Sequence, residues 1–529
     1  AYETFARRLE REMEATPARE TQQLVAKIRS RLGASESDVR SLTPRVVTPG
    51  AVPVATTADA PAGAGRIVVM PFAYHGPDDE RHLGHGLADE IRSALQGVAG
   101  LDVVSRLESL AFEAAEPDRA VLRDRLRASV VLTGRVERNE GRLTLSARLL
   151  DVATGRDIWQ DEYTREMSDL FAMEERLARA VVGALRISLA AGTSARLVRQ
   201  PTRDLEAYNL YLRGRYHWMR RPRETHKSLE YFDRAIARDP LFALAHAGIA
   251  DAYNTLGSWE AAEMPSWDAF PRAHAAAMQA LALDPTLAEA HTALGYANIH
   301  YLWRWDDARE QLERALALNP SYSHAHHWHS HYLTARGCAA ESLEASRRAL
   351  EVDPLDLIIN VHMAWHYWFA REYDEAIEQS SRAAELDRGN QWSPYFAGMG
   401  HAAAGNTGLA IEQHRLAVAR SNDSPVMLGA LGYSLATGGE RTEAEGILRR
   451  LHAVAESRSV SSYEVAVIQG ALGDGDAMFD WLDRAYEERS GWLAYLAVDP
   501  RLDGVRDDER FRALLRAVRL DPGAGYVRK

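Results

Sequence analysis

At 529 residues the chain is too long for a single hydrophobic core, so two or more domains are expected. A hydrophobic content of 46% with 26% charged residues is that of folded protein, and a formal net charge of −12 excludes a chain that grips phosphates through a concentrated basic surface. The single cysteine, Cys338, leaves no internal disulfide and fits a reducing, cytoplasmic setting. No apolar run approaches the roughly 18 residues that a membrane crossing needs, so no membrane segment is expected.

Residues 1–32 read as two short amphipathic helices. Tyr2, Phe5, Leu9 and Met13 fall at helical spacing, as do Leu24, Ile28 and Leu32 after the break at Thr16-Pro17. The chain opens in this rhythm without an initiator methionine, so it is expected to be a fragment of something longer. Residues 33–65, rich in Pro, Ala, Gly and Thr, lose all periodicity and read as a flexible linker.

Order resumes at Arg66. IVVMPFAY predicts a buried strand, Leu83 to Val98 a helix, Leu101 to Ser105 a short strand, and Asp118 to Arg127 a further helix. Three strands follow, separated by turns at Glu140-Gly141 and Thr154-Gly155, with clear alternation at Leu143, Leu145, Ala147 and Leu149. A helix from Ser168 to Leu189 closes an α/β unit over residues 66–190.

From Leu205 the pattern is wholly helical and repetitive. Asp239-Pro240, Asp284-Pro285, Asn319-Pro320 and Asp353-Pro354 recur at intervals of 45, 35 and 34 residues, and Asp387-Arg388 keeps the spacing with the proline lost. Proline has no amide hydrogen and disfavours helix in the residue before it, so it separates one helical hairpin from the next. Alanines at fixed offsets before each boundary (Ala235, Ala315, Ala349, Ala383) allow neighbouring helices to approach closely. About eight hairpins fill residues 205–518, with an insertion over Ser258 to Asp268, degenerate last hairpins through Val467 to Tyr486, and a terminal capping helix at Phe511 to Val518.

This spacing resembles the tetratricopeptide repeat, with Leu294-Gly295 at that family's Leu-Gly position and Leu431-Gly432-Tyr433 with Ala444 in a later unit. Ser228, Ser342 and Ser346 depart from its expected Ala or Phe. The α/β unit resembles the TolB-like domain that precedes such repeats in bacterial regulators, through Val69-Met70-Pro71-Phe72, Gly86 to Glu90, Leu132 to Val136, Leu150 to Gly155 and Ile158-Trp159. The opening thirty or so residues are similar to the end of the bacterial transcriptional activator domain, where helical hairpins follow a winged helix. The fold class implied is mostly α, a tetratricopeptide-repeat superhelix with a small α/β (TolB-like) domain before it. The three resemblances together imply a multidomain bacterial transcriptional regulator that touches DNA only through a domain absent from this chain.

No phosphate loop, nucleophile elbow, HExxH or paired CxxC occurs, so no catalytic residue, cofactor or enzyme activity is expected. Asp78, Asp79 and Glu80 read as a solvated turn, and His82 and His85 as surface histidines. In SHAHHWHSHY, His327 and His331 have the i, i+4 spacing that can hold Zn²⁺, but no carboxylate or cysteine completes a tetrahedral set, so no metal is assigned.

If the repeat frame holds, positions two, five, nine and twelve of each first helix line the concave groove, as the family's geometry implies. These are His324, His327, His331 and Thr334, then Ile358, Val361, Trp365 and Trp368, then Trp392, Tyr395, Met399 and Ala402, with Tyr296 one unit earlier. The partner-binding groove is therefore assigned to Tyr296, His324, His327, His331, Trp365, Trp368, Trp392, Tyr395 and Met399, and the partner expected is a protein or peptide. Packing of the tryptophans between helices is the competing reading. Protonation of the histidines near pH 6 would weaken binding there. A small-molecule sensor, or a signalling scaffold attached to a cyclase or kinase, is the alternative function.

Overall fold

The computed structural model describes residues 65–96, 98, 101–104, 119–139, 142–166, 169–185, 200–221, 223–258, 263–455 and 460–520. The paired helices expected over residues 1–32, and all but the last residue of the linker expected over 33–65, lie outside them.

The sheet is mixed. Strands β1 (Ile67–Val69) and β2 (Ala73–His75) both run parallel to β3 (Val130–Asn139), which is antiparallel to β4 (Arg142–Asp151), itself antiparallel to β5 (Asp157–Glu166). The strand expected across IVVMPFAY is thus two strands. Pro71 has no amide hydrogen to give to a ladder; β1 pairs as far as Leu132, and pairing resumes at Arg135. Phe72 fills the step, close enough to Gly134 that a Cβ there would lie 2.7 Å from its ring. Along β4, Leu143, Leu145, Ala147 and Leu149 are buried and the residues between them are not, as the alternation predicts. Of the strand expected at Leu101 to Ser105, the described residues 101–104 make a single bridge, from Val103 to Ile67, and of the helix expected at Asp118 to Arg127, residues 119–120 are helical and lead into one wide turn at Val121–Arg125.

Helices α1 (His82–Gln96) and α2 (Leu170–Ala184) share an apolar core with one face of this sheet. That core does not end with the α/β unit. It continues through Tyr208, Tyr211 and Leu212 into Phe232 and Phe242 of the helical region. Gly86 of α1 lies against Leu212, where a Cβ would meet the leucine at 2.8 Å. Tyr208 donates to the fully buried Glu174 at 3.1 Å, and burial holds that carboxyl well above its usual range. On the other face Val68, Met70, Val131 and Val152 pack with Leu122, Leu126 and the distant Leu355.

Among the described residues, sixteen helices then form eight antiparallel hairpins. They are α3 (Leu205–Trp218) with α4 (Thr225–Arg238), α5 (Ala243–Gly257) with α6 (Ser266–Leu283), and α7 (Ala288–Ala297) with α8 (Trp305–Leu318). Next come α9 (Ser323–Ala335) with α10 (Ala339–Val352), α11 (Leu357–Phe369) with α12 (Tyr373–Leu386), and α13 (Trp392–Ala403) with α14 (Thr407–Arg420). The last are α15 (Pro425–Thr437) with α16 (Arg441–Val454) and α17 (Ser462–Ala471) with α18 (Gly475–Glu487). Each of α4, α6, α8, α10 and α12 stops one residue before the Asp or Asn of its boundary dipeptide, which is extended or nearly so, as a residue before proline should be. Arg388 lacks that constraint, yet the helix still ends at Leu386 because Asp387 Oδ1 accepts from the Gly389 amide at 2.7 Å and closes the turn. The chain therefore has a mostly α fold, a tetratricopeptide-type superhelix behind a small mixed sheet.

The last part departs from a simple stack. After α18, short 3₁₀ turns at Gly491–Tyr495 and Pro500–Val505 lead to α19 (Glu509–Ala517), close to the capping helix expected at Phe511 to Val518. Residues 492–498 are all buried. They contact first helices of several hairpins at once: Tyr495 against Trp365 and Phe369 of α11, and Trp492 against Tyr463 of α17. Trp305 donates to the Val518 carbonyl at 3.0 Å, and Arg371 to that of Val498 at 2.9 Å. The chain's own carboxy-terminal segment thus lies in the concave side of the superhelix.

A buried histidine between hairpins carries a pH signature. His414 of α14 faces the Tyr395 carbonyl at 3.1 Å through Nε2 and the Ser434 hydroxyl at 2.8 Å through Nδ1. A carbonyl only accepts, so Nε2 carries the proton and Nδ1 accepts from Ser434. Burial lowers the imidazole from 6.5 to about 4, more than the Tyr395 hydrogen bond raises it. The unfolded chain then binds this proton more readily than the folded one, so His414's contribution to stability shrinks as pH falls through 6.5 toward 4. Wild type should lose about 2 kcal/mol relative to His414→Gln between about pH 7.5 and about pH 5. Urea titrations of both proteins at the two pH values measure this; a constant gap would mean that the histidine does not titrate on unfolding.

Candidate partner-binding cleft

The expectation of an open aromatic stripe needs correction. Trp365, Trp368, Tyr395 and Met399 are fully or almost fully buried. Trp365 does not face open solvent, because Trp492 and Tyr495 cover it at ring separations of 5.3 and 4.7 Å. Trp368 lies below the Arg501 guanidinium at 5.8 Å, and Tyr395 packs on Phe396 and His414. A repeat frame reports which way a side chain points. It cannot report that a segment more than 100 residues away returns to cover it.

An open part of the concave side remains nearer the amino terminus. A cleft of about 540 Å³ is walled by the end of α3, by α5, α7 and α9, and by the loops that open α11 and α13. Of the nominated residues, Tyr296, His324, His327 and Trp392 line it, joined by Ile358, which falls on a frame position, and by Trp328, which does not. Arg221, Asp251, Asp356 and Asp387 are its charged lining residues; Asp356 is buried, Asp251 nearly so, and Asp387 is exposed. A second cleft of about 550 Å³, between α1 and the first hairpins, shares Met219, Tyr322 and His324 with it. There, burial and the neighbouring Glu289 push Glu90 up to about 7. Burial likewise raises Asp251 to about 7, against the pull of Arg215, 3.8 Å away. Cavities of this size lie within the range of ligand pockets, about 300–1,000 Å³.

The histidines of SHAHHWHSHY divide. His324 is half-buried at the cleft, within 3.4 Å of Arg221. His326 and His329 point away, half-exposed. His327 and His331 are buried, and desolvation together with neighbouring histidines holds both well below the ordinary 6.5. They therefore stay neutral at pH 6, and the expected weakening of binding by their protonation has no basis in this arrangement. The third partner that the sequence pattern lacked is His362 of α11: ligand atoms of His327, His331 and His362 lie within 4.8 Å of one another. The repeat frame missed it because Val361, not His362, falls on the groove position.

Elsewhere, His82 is buried rather than on the surface, 2.5 Å from Asn209, and burial lowers it to about 4. Asp78 and Asp79 are exposed, while Glu80 accepts from the Tyr74 hydroxyl at 2.9 Å and pairs with Arg138. No helix among the described residues is long and apolar enough to cross a membrane.

No known family's profile matches the chain. It is 29% identical over 246 residues to putative adenylate cyclase 3 of Rhizobium meliloti (strain 1021), a match covering 46% of this chain and 41% of that protein. The chain thus spans about two-fifths of that relative's length. Similar solved structures include YrrB, a TPR protein with an unusual peptide-binding site, at 23% identity and TM-score 0.26, over 38% of this chain and 96% of that one. They also include PilW, a type IV pilus biogenesis factor, at 17% identity and TM-score 0.31, over 41% and 97%. A third is PilF of Pseudomonas aeruginosa, at 16% identity and TM-score 0.29, over 40% and 96% of the two chains.

Proposed function

We propose that this chain is the interaction and regulatory region of a multidomain bacterial regulator, and that it binds an extended peptide segment of a partner protein. The observation that carries the reading is the concave cleft of about 540 Å³, with Tyr296, Trp328 and Trp392 in its walls. Aromatic surface anchors apolar side chains, and the exposed carboxylate of Asp387 gives a basic side chain of the segment a partner. The buried remainder of the groove is already filled by this chain's own residues 492–498, so the partner enters beside that segment.

A synthetic array of extended basic and apolar peptides, probed with the full chain, tests this. Ile358 is half-buried on the cleft wall, at the edge of the apolar core, so Ile358→Arg adds bulk and positive charge at the cleft. Peptides selected by the wild type should bind at least about tenfold more weakly to this variant, a change of about 1.4 kcal/mol, with melting temperature unchanged. Equal affinity for both proteins would place the peptide site elsewhere.

Two outputs suit such a module. Transcriptional regulation is favoured by the resemblance of residues 1–32 to the end of the activator domain and of residues 66–190 to the TolB-like domain. Control of a nucleotide cyclase is favoured by the likeness to putative adenylate cyclase 3. The coding sequence upstream of Ala1 decides between them: a winged helix supports the first, a cyclase domain the second.

A further inference from the structure

We propose that His327, His331 and His362 form a binding site for a zinc-like divalent cation in the wall of the concave cleft. His327 and His331 stand one turn apart on α9, and His362 faces them from α11. The Nδ1 of His362 lies 3.1 Å from the Nε2 of His327 and 3.1 Å from the Nε2 of His331. A ring nitrogen carries either one hydrogen or one lone pair, so His362 Nδ1 cannot make a good hydrogen bond to both. Around a tetrahedral zinc with bonds of about 2.0–2.1 Å, ligand nitrogens stand about 3.3 Å apart. The two separations to His362 Nδ1 are close to that spacing, and the ligand atoms of all three residues lie within 4.8 Å of one another.

Hydrogen bonding behind the cluster sets one of these nitrogens as a ligand. His300 Nδ1 is 3.1 Å from the Tyr296 carbonyl, which can only accept, so that nitrogen carries the proton and neutral His300 presents a lone pair at Nε2. That lone pair accepts from the Tyr495 hydroxyl at 2.9 Å. The Tyr495 oxygen, its hydrogen used, accepts from His331 Nδ1 at 2.6 Å. His331 is thereby fixed with its proton on Nδ1 and its Nε2 lone pair toward His327 and His362. An imidazole oriented by a hydrogen bond from its far nitrogen is the usual support of a metal-ligating histidine. His327 also lines the cleft, which leaves the fourth coordination position to water or to a ligand atom entering from there.

Full-length chain stripped with a chelator and titrated with Zn²⁺ against a chromogenic competitor, then with Co²⁺ for its visible absorption, tests the site. The expected result is one ion per chain with the absorption of tetrahedral or five-coordinate cobalt. His331→Phe should abolish that ion, and His329→Ala, on the outer side of the same helix, should not. Tyr495→Phe keeps the ring and removes the hydroxyl, so it should weaken binding by about 10–100-fold. Binding of less than one ion by the wild type, or unchanged affinity in His331→Phe, overturns the proposal. If His331→Phe does not fold, Tyr495→Phe decides: weakened binding supports the site and unchanged affinity overturns it.

Discussion

Arg501→Ala is expected to destabilise the superhelix by about 3–5 kcal/mol, the usual consequence of removing one partner from a buried ion pair. The Arg501 side chain is 1% exposed, 2.8 Å from the Asp499 carboxylate and 3.5 Å from that of Glu464. Its guanidinium lies 4.5 Å from the Trp492 ring centre. Both carboxylates are buried, and Tyr463 donates to Asp499 at 2.7 Å. Without the arginine, two carboxyl groups remain in an apolar setting with no countercharge.

Burial already raises Glu464 from 4.5 to about 7, against the pull of Arg501. A carboxyl raised in the folded state binds its proton more readily folded than unfolded, so its penalty is absent below 4.5 and grows as pH rises through the window to about 7. Removing Arg501 takes away the charge that limits this rise. The variant should therefore be less impaired at about pH 5 than at about pH 7.5. Urea denaturation at both values gives the free energies, and hydrogen exchange should show the earliest opening in residues 490–518. A loss under about 1 kcal/mol would mean that water, and not the ion pairs, satisfies these carboxylates.

Trp365→Ala should cost about 3–5 kcal/mol, the range for emptying a buried aromatic site. The indole is fully buried, and Phe369, Phe396, Trp492 and Tyr495 surround it at 4.7 to 5.9 Å between ring centres. Three of those contacts, to Phe396, Trp492 and Tyr495, come from outside its own helix, so the cavity cannot close by a local shift. Trp365→Phe should be milder because it keeps part of the volume. An open groove residue would behave otherwise, losing partner binding with stability intact. Chemical denaturation and near-ultraviolet circular dichroism distinguish the cases; an unchanged unfolding midpoint would show that the carboxy-terminal segment does not pack there in solution.

These two residues mark where the sequence stops being informative. Trp365 falls on a repeat position, so its direction could be read from the Asp-Pro boundaries alone. Arg501 falls on none. Its partners Asp499 and Glu464 look like any surface carboxylates until Trp492 and Tyr463 exclude water from them. The histidines show the same limit within one motif. His327 and His331 share a face through helix geometry, a local property, whereas His362 joins them only through the packing of α11 on α9. Tyr495, which orients His331, is 164 residues away.

By itself the sequence determined what depends on nearby residues: the hairpin boundaries at the prolines, the alternation along β4, the mostly α repeat architecture and the small sheet before it. Backbone sterics and side-chain period act over a few residues, so they leave a pattern that can be read directly. The tertiary structure alone decided that the sheet's core runs on into the first hairpins, that residues 492–498 occupy the groove, and that the open cleft lies toward the amino-terminal hairpins. Those outcomes depend on which distant surfaces exclude water from one another, and burial of that kind has no period in the chain.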